Sequence, residues 1–265
     1  MNGAFYIGAT AIEAHQRAVD ALAANIANAN TTAYKRLEVQ FSELLQAPAP
    51  VNGDGAGSHA IADMSLGGVQ VQAGIRTFDQ GPLNPTGKPF DVAINGDGFF
   101  EVLGPSGQFM LWRGGTLVVN GDGYLAAANG YSLKQLIRVP DNAQQLQIDA
   151  DGKVWAVLGS AANPTQLGQI GLAHVRDNSA LASLGGGLFS DTSAAEGSGS
   201  TNVISLAAGQ DGAGTIVQGS LETSNVSLTV EMTSLMLVQR IYAANAQVVQ
   251  AADQLMGIAN GLRRA

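Results

Sequence analysis

The residues of this chain best suited to chemistry are carboxylates in turns: Asp-Gly pairs stand at Asp97, Asp122, Asp151 and Asp211. Carboxylates and turn carbonyls together make the oxygen cages that calcium prefers. The run Asp149-Ala150-Asp151-Gly152 comes nearest to a calcium loop, but the ligands that should follow it, above all a Glu at the twelfth position, are missing. Hairpin turns account for the same residues without any ion, because Asn-Gly and Asp-Gly accept positive φ. His15, His59 and His174 fall in three separate elements with no second His at metal spacing, and no Ser stands in a Gly-x-Ser-x-Gly setting. The chain has no Cys, so thiolate nucleophiles, disulfides and Cys-based metal sites are excluded. The reading is therefore not an enzyme, with no cofactor, no metal and no catalytic residue. Asn30-Thr31-Thr32 and Asn225-Val226-Ser227 spell glycosylation triplets, but both sit at expected helix boundaries, where these residue types serve as stops and caps.

The elements that carry these residues are read from pattern. In the first thirty residues, which are Ala-rich and free of Pro, Phe5, Ile12, Val19 and Ile26 stand seven apart, with Leu22 and Ala29 at the offset position. That spacing predicts a heptad stripe on a helix of roughly 40 Å. Asn25, Asn28, Asn30, Thr31 and Thr32 then offer side chains that compete for backbone hydrogen bonds and end it. The other end repeats the design: Leu228, Leu235, Tyr242, Val249 and Met256 are seven apart, with Val238 between, on a helix from about Ser227 to Leu262. A flanking row of Ile241, Val248, Leu255 and Leu262 widens the stripe, so this helix should touch more than one neighbour. His15 and Asn245 fall in the two stripes, either fixing register or facing a wet groove. Asn225 or Ser227 can cap the second helix, and Glu231 suits the positive end of its dipole.

Between the helices, short runs rich in Val, Ile, Phe and Leu alternate with Asn-Gly, Asp-Gly and Gly-Gly, which predicts β structure. Asp91–Ile94 and Phe99–Leu103 flank one NGDG turn, and Thr116–Val119 and Tyr124–Ala126 flank another, each read as a hairpin. Residues 46–68 are Pro/Gly-rich and aperiodic, an exposed strap, and a Gly/Ser-rich stretch at 185–200 closes the β region. The fold class expected is α+β: terminal heptad-patterned helices forming an inter-subunit coiled-coil tube, and a mainly antiparallel β centre. The divisions are 1–30 (first helix), 31–88 (extended segment and strap), 89–195 (outer β domain), 196–224 (returning β segment) and 225–265 (second helix).

Charged residues are only 13% and the net charge is −8, with no Lys/Arg cluster able to track phosphates, so nucleic acid is not a partner. No 18-residue apolar run is present, so direct membrane insertion is not expected. The start, MNGAFYIGATAIEAHQR, has no basic n-region, and Glu13 and His15 interrupt any apolar core, so a cleaved secretory signal is not expected either.

The segment Leu22–Arg36, LAANIANANTTAYKR, resembles the N-terminal signature of bacterial flagellar basal-body rod and hook proteins. The stretches GPLNPTGKPFDVAINGDGFFEV (81–102) and GSLETSNVSLTVEMTSLMLVQRIYAANAQVVQAADQL (219–255) are similar to the same family, and the C-terminal runs are most like its distal rod members. On this resemblance Asn25, Asn28, Asn30, Thr31, Tyr34, Lys35, Gly96, Gly98, Phe99, Phe100, Ser224 and Asn225 are signature positions. Two departures stand out. Ala33 occupies a position where the family usually has Gly, and Trp112-Arg113-Gly114-Gly115-Thr116-Leu117 replaces the usual Thr-Arg-x-Gly-x-Phe.

The resemblance implies a structural subunit exported without a cleaved signal through a type III apparatus. Such a subunit polymerises helically in the periplasm into a hollow rod that transmits torque to the hook. Its implied partners are further copies of itself, other rod proteins, the hook protein and the periplasmic and outer-membrane ring proteins. A proximal rod subunit is the alternative within the family, and a monomeric β-rich extracytoplasmic binding module the alternative outside it.

Overall fold

The computed structural model describes residues 2–45, 66–71, 74–105, 107–158, 163–193, 202–210 and 212–264. Most of the strap (46–65), His59, Asp211 and residues 194–200 of the Gly/Ser-rich stretch lie outside the described residues. The fold is α+β with antiparallel sheets and one long helix near each end of the chain. It divides into two units, one made of residues 1–27, 37–75 and 227–265, the other of residues 28–36 and 76–226.

In the first unit, α1 spans Asn2–Ala27 and α2 spans Leu228–Arg264. Ala-rich sequence without Pro favours α1, and the Asn28–Asn30 turn ends it, Thr31 donating its N–H to Asn28 O at 3.1 Å. The helices pair antiparallel: Asn25 near the end of α1 meets Glu231 in the first turn of α2, while Gly8 lies against Val249 farther along it. A β-carbon on Gly8 would stand 2.6 Å from Val249 Cγ2, so the close approach requires glycine. The strand Leu66–Val71 pairs with Phe41–Leu45, and Gly68 leaves no room for a side chain beside Thr10 of α1. The His15 ring lies tilted against that of Phe41, with centroids 5.5 Å apart.

The second unit is built from sheets. A six-stranded antiparallel sheet runs in the order Leu181–Gly185, Leu188–Asp191, Phe109–Trp112, Phe99–Leu103, Gly171–Val175, Val203–Ala207. A four-stranded sheet follows the order Leu125–Ala127, Gly114–Val119, Asp91–Asn95, Thr215–Gln218, and a three-stranded one Ala143–Ile148, Lys153–Leu158, Thr165–Gln169. The main core gathers Val92, Ile94, Phe100, Trp112, Leu125, Leu133, Val154, Ile170 and Leu172. Phe99 enters a second cluster with Leu111, Val175 and Phe189, because neighbouring residues of a strand face opposite ways.

Among the described residues, the NGDG turns at 95–98 and 120–123 behave differently. At 120–123 the turn is a hairpin, with Leu125 opposite Val119. Asp149–Gly152 likewise closes a hairpin, with Ile148 opposite Val154. At 95–98 the hairpin expectation fails: Asp91–Asn95 pairs in the four-stranded sheet and Phe99–Leu103 in the six-stranded one, so the turn carries the chain from one sheet to the other. Arg113 explains the difference. It separates two strands, Phe109–Trp112 and Gly114–Val119, that also belong to different sheets, and its guanidinium donates to the carbonyls of Gly96 and Gly98.

Candidate assembly site

The predicted interface residues of α1 divide by burial. Leu22 is buried, whereas Ile12, Val19 and Ile26 are half-buried; Phe5 lies in the helix, but its side chain is outside the described atoms. The face fully turned inward is carried by Gly8 and, at spacings of three and four, by Ala14, Ala18, Ala21, Leu22 and Asn25. Within the chain, Ile12, Val19 and Ile26 are left half-open beside this face. Small side chains let the two backbones approach, so the close contact follows the alanines.

On α2 the predicted rows separate. Leu235, Val238, Asn245, Val249 and Met256 are half-buried and share the side on which Glu231 and Val249 touch α1. Within the chain this row faces α1. The flanking row stays open: Ile241, Val248, Leu255 and Leu262 are 36%, 54%, 59% and 76% exposed. Leu228 and Tyr242 are exposed as well, together with Met236, Leu237 and Ile258, which the sequence reading did not single out. A contiguous row of large apolar residues left open to water marks an interaction surface.

The signature residues meet at a second place, the root of the N-terminal segment in the β unit. Ala33 adopts φ +56°, the left-handed conformation that glycine accepts and alanine resists. Its N–H reaches Glu222 O at 2.9 Å, and its side chain is buried under Gly187. Lys35 then points inward, 1% exposed, and donates from Nζ to Glu222 Oε1 at 2.7 Å and to Asp79 O at 2.9 Å. Arg113 Nε donates to the other carboxylate oxygen of Glu222 at 2.7 Å, and Gly81 N–H to Oε1 at 2.9 Å. One carboxylate thus serves two buried cations. Burial, helped by the neighbouring Arg113 charge and opposed by Glu222, lowers the Lys35 pKa from its ordinary value.

Around this triad, Asn225 accepts from Arg36 N–H at 2.7 Å and donates to Thr77 O at 2.8 Å and Asp79 O at 3.1 Å. It works as a backbone clamp. Arg76 donates to Lys35 O at 2.8 Å and lies over the Tyr34 ring at 5.4 Å. Ser224 Oγ accepts from Val226 N–H at 3.3 Å. In the helical unit, Asn25 closes a parallel arrangement: Oδ1 accepts from Leu37 N–H and Nδ2 donates to Leu37 O, each at 2.8 Å, and Nδ2 also reaches Glu231 at 3.2 Å.

The structure brings Tyr34, Lys35, Ser224 and Asn225 together, and Arg113 connects them to Gly96, Gly98 and the Phe99 ring, 5.8 Å from its guanidinium. Asn28, Asn30 and Thr31 stay in the helix-ending turn, and Phe100 lies in the main core. Glu222, Arg113 and Glu231 were missed as site residues. For Arg113 and Glu231 the signal was a charge beside apolar residues in a chain with few charges; Glu222, among Ser, Thr and Asn, gave none.

Residues 5–35 match the family described as flagella basal body rod protein, residues 93–156 the flagellar hook protein FlgE/F/G D1 domain, and residues 217–262 the flagellar basal body rod FlgEFG protein C-terminal family. The flagellar basal-body rod protein FlgG of Borreliella burgdorferi is 32% identical over 269 residues, covering all of both chains. FlgG of Agrobacterium fabrum is 36% identical over 260 residues, covering 96% of this chain and 97% of its own. The chain belongs to the flagellar basal-body rod protein family. Its rod-protein relatives include FlgF of Caulobacter vibrioides, 30% identical over 261 residues and covering 96% of this chain and 95% of its own. Across the family it is most like FlgG, the distal rod protein, and it is a structural subunit of the basal-body rod. Lys35, Arg113, Glu222 and Glu231 all fall inside matched regions.

Proposed function

We propose that this rod protein polymerises helically into a hollow, rigid shaft in the periplasm, its terminal helices forming the inner tube and its β unit the outside, and that the shaft passes torque to the hook. The observation that carries the reading is the second apolar row of α2. One row is satisfied against α1, while Ile241, Val248, Leu255 and Leu262 are left for helices of neighbouring copies. Full burial of each such side chain contributes about 1.5–3 kcal/mol, so four per copy, repeated around a helical lattice, supply a strong lateral contact. Rigidity has a second source in the Lys35–Glu222–Arg113 triad, which fixes the root of the N-terminal segment to the β unit.

The double substitution Val248→Asp, Leu255→Asp tests the reading. Both residues lie off the α1-facing row, so circular dichroism of the purified chain should keep its helical signal. Filament formation, followed by sedimentation and electron microscopy, should be lost, and cells carrying the variant should be non-motile. Filaments and swimming equal to those of the parent chain would exclude the outward row. A monomeric module closed by its own helices is the second reading. The in-chain pairing of α1 with α2 favours it, but it leaves the outward row without a use, and a parent chain that stays monomeric at every concentration would establish it.

A further inference from the structure

The three-stranded sheet has two faces. Leu146, Ile148, Val154 and Ala156 enter the core, and the alternate residues Gln145, Gln147, Trp155 and Val157 face the other way. Register places Gln147 and Gln166 on either side of Trp155, and Gln145 opposite Val157. A cleft of about 390 Å³ opens on this face, bounded by Trp155, Val157, Gln145, Gln147, Pro164 and Lys88.

The cleft is held in shape. Gln218 Nε2 donates to Leu146 O at 2.9 Å and to Pro89 O at 2.6 Å, while its Oε1 accepts from Ile148 N–H at 3.0 Å. Trp155 Nε1–H donates to Asp149 Oδ2 at 2.7 Å, which fixes the indole and engages that carboxylate. The side-chain amides of Gln145 and Gln147 make no hydrogen bond among the described residues and are exposed.

In a chain of net charge −8, a fixed aromatic plane flanked by free neutral amides selects a particular chemistry. Among the described residues lining the cleft Lys88 is the one charged side chain, so a charged peptide finds little to pair with, and a purely apolar segment would strip water from two unpaired amides. A sugar ring meets both requirements, its C–H face lying on the indole and its hydroxyls exchanging hydrogen bonds with groups that both donate and accept. We propose that Trp155, Gln145 and Gln147 form a shallow binding site for an uncharged oligosaccharide.

The test titrates the purified full-length chain with chitohexaose and with cellohexaose, read by tryptophan fluorescence and by calorimetry. Saturable binding of at least one sugar is expected, weakened about tenfold or more by Trp155→Ala. Gln145→Ala with Gln147→Ala, at exposed positions whose loss leaves the fold intact, should weaken it severalfold. Absence of saturable binding by either sugar, or equal binding by the Trp155→Ala chain, would overturn the proposal. So would a proline-rich decapeptide that binds in a Trp155-dependent way and is not displaced by the sugars.

Discussion

Replacing Glu222 with Gln removes one negative charge from a place where two positive charges depend on it. Lys35 and Arg113 each lie 2.7 Å from a different oxygen of this carboxylate, and all three side chains are at most 3% exposed. Glutamine keeps the shape, but its NH2 must then face either Lys35 Nζ or Arg113 Nε, and both are donors only. Breaking a buried pair by removing one partner costs about 3–5 kcal/mol, a large share of the roughly 5–15 kcal/mol that holds a domain folded. For a unit of some 150 residues each kcal/mol moves the midpoint by about 2–4 °C, so the expected loss is on the order of 6–20 °C. Scanning calorimetry at neutral pH, with the near-ultraviolet signal of buried Trp112 as a local probe, measures it. Adding Lys35→Met to the Glu222→Gln chain removes one stranded cation and should recover part of the loss. A fall of less than about 2 °C, or no recovery in the double variant, would refute the claim that one buried carboxylate neutralises both cations.

Three further outcomes follow from the same geometry. Gly187→Ala, at φ +74° with a new β-carbon 3.2 Å from that of Ala33, should destabilise the β unit by about 1–2 kcal/mol, and Gly186→Ala, at φ +61° in open space, by less, as read from thermal midpoints. Gly8→Ala should lower the midpoint of the 222 nm transition despite a helix-propensity gain of about 1 kcal/mol, and Val249→Ala in the same chain should restore it, because the added carbon meets Val249 Cγ2. Burial lowers the His15 pKa below its ordinary 6.5, so between the folded value and 6.5 the unfolded chain holds more protons. Stability present above pH 6.5 is therefore lost as pH falls through that window, and unfolding midpoints at pH 7 and 5.5 should differ more in the parent chain than in His15→Leu.

What was legible in the sequence was local. Periodicity and the Asn/Thr cluster placed both helices and the end of α1. The turns at 120–123 and 149–152 are the hairpins their residues call for. The turn at 95–98 is spelled identically to the one at 120–123, yet it crosses between sheets. What distinguishes them is a guanidinium 15 and 17 residues away that takes the carbonyls of Gly98 and Gly96. Glu222 was hidden for a stronger version of the same reason. Its role depends on a lysine 187 positions earlier and an arginine 109 positions earlier, and no short-range pattern encodes that meeting.

The helices make a related point about which apolar row does what. Heptad spacing identifies rows but not their partners, and on α1 it is alanines and Gly8 that take the face turned inward within the chain. On α2 the inner row has Glu231 buried at its head, bonded to Asn25, so the N-terminus of α2 and the C-terminal end of α1 are tied by a polar contact as well as by packing. Such a contact fixes register, because sliding the helices by one turn would leave Glu231 buried without that donor. With the register fixed, the flanking row of α2 is presented at a constant angle in every copy. A lattice of identical subunits needs this constancy more than it needs adhesive strength, since a repeated contact closes into a regular tube only when each copy offers the same surface in the same orientation.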